Sequence, residues 1–349
     1  MAIAPQRLGA LLGLLAALSF GISAPLAKLL LAEVSPQLLA GLLYLGAGLG
    51  LALYRLVRPA TREAPLTRAD LPPLLGVVTL GGVAGPLLLL LGLARVSGTA
   101  GALLLNLEAP LTIVLAALVF GEHLGRRATL AAACILLGAV VLRVTPGEVV
   151  VDSLGVLAIA AACLCWGLDN NLTQRLSLKD PFQVVRIKCL AAGTFNTALA
   201  FALGATVPGA RFVALAMGLG VLSYGISVVL DAYALRLHGA AREAAYFATA
   251  PFVGAVAAVP LLGDSLAAPE LAAMALMALG VVLLLRERHA HEHVHEPMDH
   301  EHLHAHDEHH QHEHTADDPP GEPHAHPHRH ARMVHDHPHA PDLHHRHPH

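Results

Sequence analysis

Residues 91–110 read LGLARVSGTAGALLLNLEAP, and residues 232–251 read AYALRLHGAAREAAYFATAP. Laid over one another without a gap, they pair Arg95 with Arg236, Gly98 with Gly239, Ala100 with Ala241, Ala109 with Ala250 and Pro110 with Pro251. Phe20-Gly21 answers Trp166-Gly167 in the same way. Each long stretch leaves one apolar segment, passes a short Arg- and Gly-bearing turn and enters the next. The chain therefore reads as two related halves.

Outward from these stretches the apolar segments continue. A helix crossing about 30 Å of hydrocarbon needs about 20 apolar residues. Charge, Pro and Gly punctuate the chain into ten such segments: 8–31, 36–56, 71–94, 98–120, 124–144, 154–176, 182–204, 212–235, 240–262 and 266–286. The first imitates a signal peptide, with Arg7 before a Leu-rich core, but it is too long and lacks a small-residue cleavage site, so it reads as a retained helix. Five helices per half is an odd number, which inverts the second half relative to the first. The expected fold is all-α and integral to the membrane: ten transmembrane helices as two inverted five-helix repeats, plus a disordered tail. Inverted repeats are a transporter architecture, with the site near the bilayer midplane between the halves.

Composition agrees. The chain is 55% hydrophobic and 14% charged, where a soluble domain carries about 25% charged residues. That excludes an ordinary soluble enzyme. No basic run and few aromatic residues leave nothing for nucleic acid to bind. Cys134, Cys163, Cys165 and Cys189 all lie in apolar runs and read as small buried residues rather than disulfides. With the N-terminus in the cytoplasm, 15 Lys/Arg fall on the inner side, Lys188 among them, and four outside: Lys28, Arg95, Arg143 and Arg211. That bias puts both termini in the cytoplasm, in the cell's inner (plasma) membrane.

The chain resembles the EamA-type drug/metabolite transporter superfamily. The resemblance rests on FGISAPLAK (20–28), LEAPLTIVLAALVFGEHL (107–124), WGLDNNLT (166–173) and ATAPFVGAVAAVPLLGDSL (248–266). It covers residues 8–286 and departs at Asp264, where the first half carries Glu122. It implies one EamA-type repeat over 1–148, a second over 149–288, a central cavity, and export or exchange of small metabolites without ATP. The chain has no GxxxxGK[ST] loop, in keeping with that.

Polar groups inside a bilayer are costly, so each is a candidate for function. Glu108 and Asn106 lie mid-span beside the helix-distorting Pro110; a carboxyl there could carry a proton or face a cation. Asp169, Asn170 and Asn171 sweep most of a helix circumference, so some must face a cavity or a neighbouring helix. Asp231 and Tyr233, then Glu243 and Tyr246, follow in the second half. The expected pathway is Asn106, Glu108, Asp169, Asn170, Asp231, Tyr233 and Tyr246, with a cytoplasmic gate of ion pairs to Arg175, Arg236 and Arg242 as the alternative. Asn196 reads as interhelical glue, and Lys28 as an interfacial anchor or an anion site. Gly46–Gly50 and Gly81–Gly85 carry GxxxG spacing, for close helix packing or, as the alternative, a homodimer contact.

The tail, 289–349, holds most of the chain's 25 histidines. His289, His291, His293, His295, His300, His302, His304, His306, His309, His310, His312, His314, His324, His326, His328 and His330 are candidate metal ligands. Low apolar content and recurring Pro predict disorder. Imidazole suits Zn, Ni, Co or Cu, and without thiols weak multi-ion binding is expected. No other cofactor is required. Function is thus expected to be secondary transport of a small solute, linked to a divalent transition metal. The alternatives are a small organic metabolite or amino acid, with the tail as metal or pH sensor, and a non-transporting membrane metal sensor or store. No nucleophile–base constellation appears in the helices, which argues against an enzyme. The expected partners are the lipid bilayer and a small-molecule or metal-ion substrate.

Overall fold

The computed structural model describes residues 5–57, 64, 66–120, 126–144, 152–176, 179–238, 243, 246–286, 289–295, 298–304, 324–330 and 333–339. Through residue 286 the regular elements are helical. In the first half they are α1 (Pro5–Gly21), α2 (Ser23–Leu30), α3 (Pro36–Val57), α4 (Leu71–Gly76), a π-helical segment (Val77–Ala84), α5 (Gly85–Leu93), α6 (Gly98–Leu104), a 3₁₀ turn (Leu105–Leu107), α7 (Glu108–Phe120) and α8 (Arg126–Val144). In the second half they are α9 (Ser153–Leu176), α10 (Pro181–Ala202), α11 (Ala210–Gly220), a second π-helical segment (Val221–Ile226), α12 (Ser227–His238), α13 (Ala250–Leu262) and α14 (Ala268–Leu285).

Among the described residues, six continuous helices are long and apolar enough to cross a membrane: Arg7–Leu30, Pro36–Val57, Arg68–Leu93, Ser153–Thr173, Pro181–Ala202 and Ala210–Leu235. α1 and α2 join through Ile22, which keeps helical φ and ψ. The sequence reading expects ten. The other four segments are helical without meeting that standard: Gly98–Phe120 comes in three pieces, and α13 and α14 are shorter apolar helices. Large apolar side chains such as Leu53, Leu56, Leu75, Leu137, Leu157 and Phe195 face outward. A water-soluble bundle would bury such residues, whereas a lipid-facing surface needs them.

Helix ends are tied across the fold, because each end leaves unpaired backbone groups. The Ser97 side chain accepts from the Ala100 amide at 3.1 Å. Asp264, from the second half, accepts from the Thr99 amide at 2.7 Å and its hydroxyl at 3.0 Å. Gly263, at φ 71°, closes α13 in the left-handed conformation and delivers Asp264 to that cap. Lys28 donates to the Leu93 and Val96 carbonyls at 2.7 and 2.5 Å, so it caps the C-terminus of α5. Asp180 caps α10 through the Gln183 amide and pairs with Arg55 at 3.3 Å. Asn196 joins three elements, accepting from Gln37 at 2.9 Å and donating to the Gly82 carbonyl at 3.3 Å. The glycines of the first GxxxG stretch are used inside the chain. A Cβ on Gly46 would meet the Met217 backbone, and one on Gly50 the Val221 side chain.

The described residues of the tail lie in strands. Four seven-residue strands, β1 (His289–His295), β2 (Met298–His304), β3 (His324–His330) and β4 (Met333–His339), pair antiparallel as β1–β4 and β2–β3. The reason lies in the order of residues rather than their composition. Histidine at every second position has the period of a strand, and the ladders place His291 opposite His337 and His302 opposite His326. His306, His309, His310, His312 and His314 lie outside the described residues.

Candidate functional site

The π-helical segment at 77–84 anchors two side chains that line the central cavity. Wider winding takes carbonyls out of the regular helical ladder, and the Gly81 carbonyl accepts twice from other helices. The Tyr44 hydroxyl donates to it at 2.8 Å and the Trp166 indole N–H at 3.2 Å. Gly81 has to be glycine, because a Cβ there would run into the Asp169 carboxylate. The second π segment carries Tyr224 into the same space, and Ser223 and Ser227 bind it to α1 by donating to the Ser19 and Ala16 carbonyls.

These anchors gather an aromatic cluster about Phe20. Its ring lies 5.9 Å from Trp166 and 5.7 Å from Tyr224, both edge-on, and 5.2 Å from Phe247, while Tyr44 stands 5.3 Å from Tyr224. Five of the chain's aromatic residues, its single tryptophan included, thus line one cavity of about 140 Å³.

Polar groups line the same cavity. Asp169 and Lys188 form a buried ion pair at 2.5 Å, and Thr173 donates to the same carboxylate. Asn170 donates to Glu108 at 2.6 Å. Asp231 and Glu243 bring two further carboxyl groups to the same cavity. Asn106 is 2% exposed; its amide donates to the Leu103 carbonyl at 3.1 Å, and its carbonyl oxygen has no partner. The local chain explains that placement. Pro110 lacks the N–H that a helix would return to Asn106 four residues back, and the 3₁₀ turn at 105–107 tightens just there.

Of the seven expected pathway residues, Asn106, Glu108, Asp169, Asn170 and Asp231 line the cavity together. Tyr233 and Tyr246 are not among its lining residues. Two residues along a helix turn about 200°, so with Asp231 facing inward Tyr233 is carried to the other side. Lys188, Glu243 and the aromatic residues complete the lining. Lys188, counted above with the inner-side charges, is a buried residue of α10. Arg242 lies outside the described residues, and the side chains of Arg175 and Arg236 are likewise outside them.

The EamA-like transporter family matches this chain twice, over residues 7–144 and 153–286. An uncharacterized transporter of Methanothermobacter thermautotrophicus is 30% identical over 267 residues, covering 71% of this chain and 78% of that protein. A crystal structure, described only as that of a protein, superposes with a TM-score of 0.61 at 21% identity, covering 80% of this chain and 98% of the other. That last likeness concerns the fold alone.

Proposed function

Because the chain belongs to the EamA-like transporter family, and so is a membrane protein of transporter kind, we propose that it moves a small organic solute through the cavity between its two halves. Transport is secondary, as export or exchange. The observation that carries this reading is the cavity itself: residues of α1, α3, α7, α9, α10, α12 and the second π segment meet around it. Carboxyl groups placed inside spans are expensive, and Glu108, Asp169 and Asp231 converge on one void instead of serving separate helix contacts. The arrangement proposed is ten membrane helices in two inverted five-helix repeats. The double family match supports it, and so do the paired π segments, one preceding α5 and one preceding α12.

Cargo is organic in this reading rather than a transition metal. Among the described residues no three His, Cys, Asp or Glu groups gather to hold a metal ion, and the cavity offers carboxylate and amide oxygens beside aromatic rings, a poor match for Zn, Ni, Co or Cu. The metal reading belongs to the tail. Register favours it, because opposed residues in a ladder stand about 5 Å apart and histidine faces histidine along both ladders. The proposed tail is a cytoplasmic binder of divalent transition metals attached to a transporter of the inner membrane.

The test is transport by the full chain in sealed vesicles under an imposed proton gradient, with a panel of radiolabelled amines, amino acids and divalent metals. Gradient-dependent movement of one organic class, lost in Glu108→Gln, supports the reading. Movement of metal alone overturns it, and so does no movement of any solute by folded protein.

A further inference from the structure

We propose that the cavity selects a protonated amine: a small organic cation whose N–H groups meet the acceptors of Asn106 and Glu108 and whose apolar body lies against the Phe20 cluster. This rests on reading the cavity as the transport site and adds the chemistry of its cargo.

The first argument is a census of donors. Many of the donors that line the cavity are engaged inside the protein. Lys188 is given to Asp169, the Asn170 amide to Glu108 and the Asn171 amide to the Gly167 carbonyl. Tyr44 and Trp166 both donate to Gly81, and Asn106 donates to Leu103. Against these committed donors stands an acceptor with no partner. The Asn106 carbonyl oxygen is buried without a partner, and a buried unmet acceptor costs about 1–3 kcal/mol until a donor reaches it. Among the described lining residues the one cation, Lys188, is already paired with Asp169, which disfavours an anionic solute.

Charge points the same way. Among the described lining residues, four carboxyl groups, Glu108, Asp169, Asp231 and Glu243, stand against one lysine. Lys188 neutralises Asp169. Asp231 and Glu243 add two more carboxyl groups, and the side chain that donates to Glu108 is the neutral amide of Asn170. A negative excess in an apolar surround is relieved by a cation.

The third argument is the ring wall. With Tyr44 and Trp166 held by their polar ends, they present ring surface to the void, alongside Phe20, Tyr224 and Phe247. A cation close to an aromatic face is attracted by the ring quadrupole, most strongly where water is excluded. A neutral apolar solute would use the rings and leave the acceptors unmet. Only a body with both N–H charge and apolar surface satisfies the two sides together. At about 140 Å³, the space is small beside the roughly 300–1,000 Å³ of a drug-sized site, so the cation is small.

The molecule supplies its own reporter, since its single tryptophan lines the cavity. The full chain in lipid nanodiscs is titrated with 2-phenylethylammonium, neutral 2-phenylethanol and anionic phenylacetate, with Trp166 emission excited at the red edge. The expected result is saturable change with the ammonium, at least tenfold tighter than with either of the others. Glu108→Gln is expected to weaken it about tenfold or more, and Phe247→Leu to weaken it also, both judged folded by size exclusion and helical circular dichroism. If Glu108→Gln does not fold, Phe247→Leu and the charge series still decide. Equal affinity for the alcohol or the acid overturns the proposal, and so does no response to any of the three probes. Ammonium binding without movement across sealed vesicles would defeat the transport reading and leave this one standing. Transport of neutral or anionic solutes in preference to amines would do the reverse.

Discussion

The cavity and the tail both concentrate polar side chains in a chain otherwise short of them, and they do so in opposite ways. In the cavity the paired groups have specific partners: Lys188 for Asp169, Asn170 for Glu108, and Tyr44 and Trp166 for the Gly81 carbonyl. Burial makes each pairing obligatory, because a polar group left unmatched there is costly. In the tail, histidine recurs at every second position of four strands, and any rung resembles the next. A two-stranded ladder is marginally stable alone in water, so no single rung is indispensable. The first region gains specificity by exclusion and the second gains capacity by repetition. Substitutions in the two should therefore behave differently.

The largest effect is expected at the buried ion pair. Lys188→Met strips Asp169 of its partner inside the bundle, and breaking a buried pair this way costs about 3–5 kcal/mol. The apparent melting temperature of the purified protein should fall sharply. Replacing both residues, as Lys188→Met with Asp169→Leu, should recover much of the loss, since no buried charge is then stranded. A single variant that melts with the parent would show that water reaches Asp169, and the contrast with the tail would weaken. Glu108→Gln tests function in place of stability. It is nearly isosteric and keeps a partner for Asn170, so the protein should fold while transport drops by about tenfold or more. Unchanged transport rates would demote Glu108 to a packing role.

Much of this contrast is legible in the sequence, and what is not has a physical cause. Apolar length and the matched stretches at 91–110 and 232–251 reveal a membrane chain in two related parts. Charge inside spans singles out Asn106, Glu108, Asp169, Asn170 and Asp231, because the cost of burying such groups leaves few reasons to keep them. Rotation about the helix axis is not legible: which neighbour of Asp231 also faces the cavity depends on packing, so Tyr233 reads as a candidate and turns away. Lys188 reads as a loop charge, since a basic residue near the start of a span looks like a topogenic signal until Asp169 is seen beside it. Aromatic residues are invisible as a set, for Phe20, Tyr44, Trp166, Tyr224 and Phe247 are scattered over more than 200 positions and meet only through folding. In the tail, composition points to disorder while the alternation of histidine points to strands.

Removing the tail should leave the body intact. Deletion of 289–349 takes away no residue of α1–α14, so melting temperature and membrane insertion should match the parent. Metal binding measured by calorimetry should fall from several equivalents to near zero. Protonated imidazole has no lone pair to give, and its ordinary pKa is about 6.5. Affinity for Zn or Ni should therefore be full above about pH 7 and decline as pH falls through that value. Metal binding that survives the deletion would place the ligands in the body and erase the division of labour between the two regions.

The smallest expected effect is the sharpest test of repetition. His302 stands opposite His326 in the β2–β3 ladder, with His300 opposite His328 and His304 opposite His324 on either side. If the tail works by number, His302→Ala removes one rung and the neighbouring rungs take the ion. Calorimetry should then show a small loss of capacity with nearly the same affinity. A variant that keeps every histidine but shifts β3 by one position separates number from register. Because side chains alternate between the faces of a strand, a one-residue slip sends a whole row to the other side. Affinity that falls in the shifted variant while histidine count is constant would show that the opposed pairs bind. Affinity indifferent to the shift would reduce the ladders to a flexible reservoir of imidazole, and the cavity would remain the one region of the molecule where position decides.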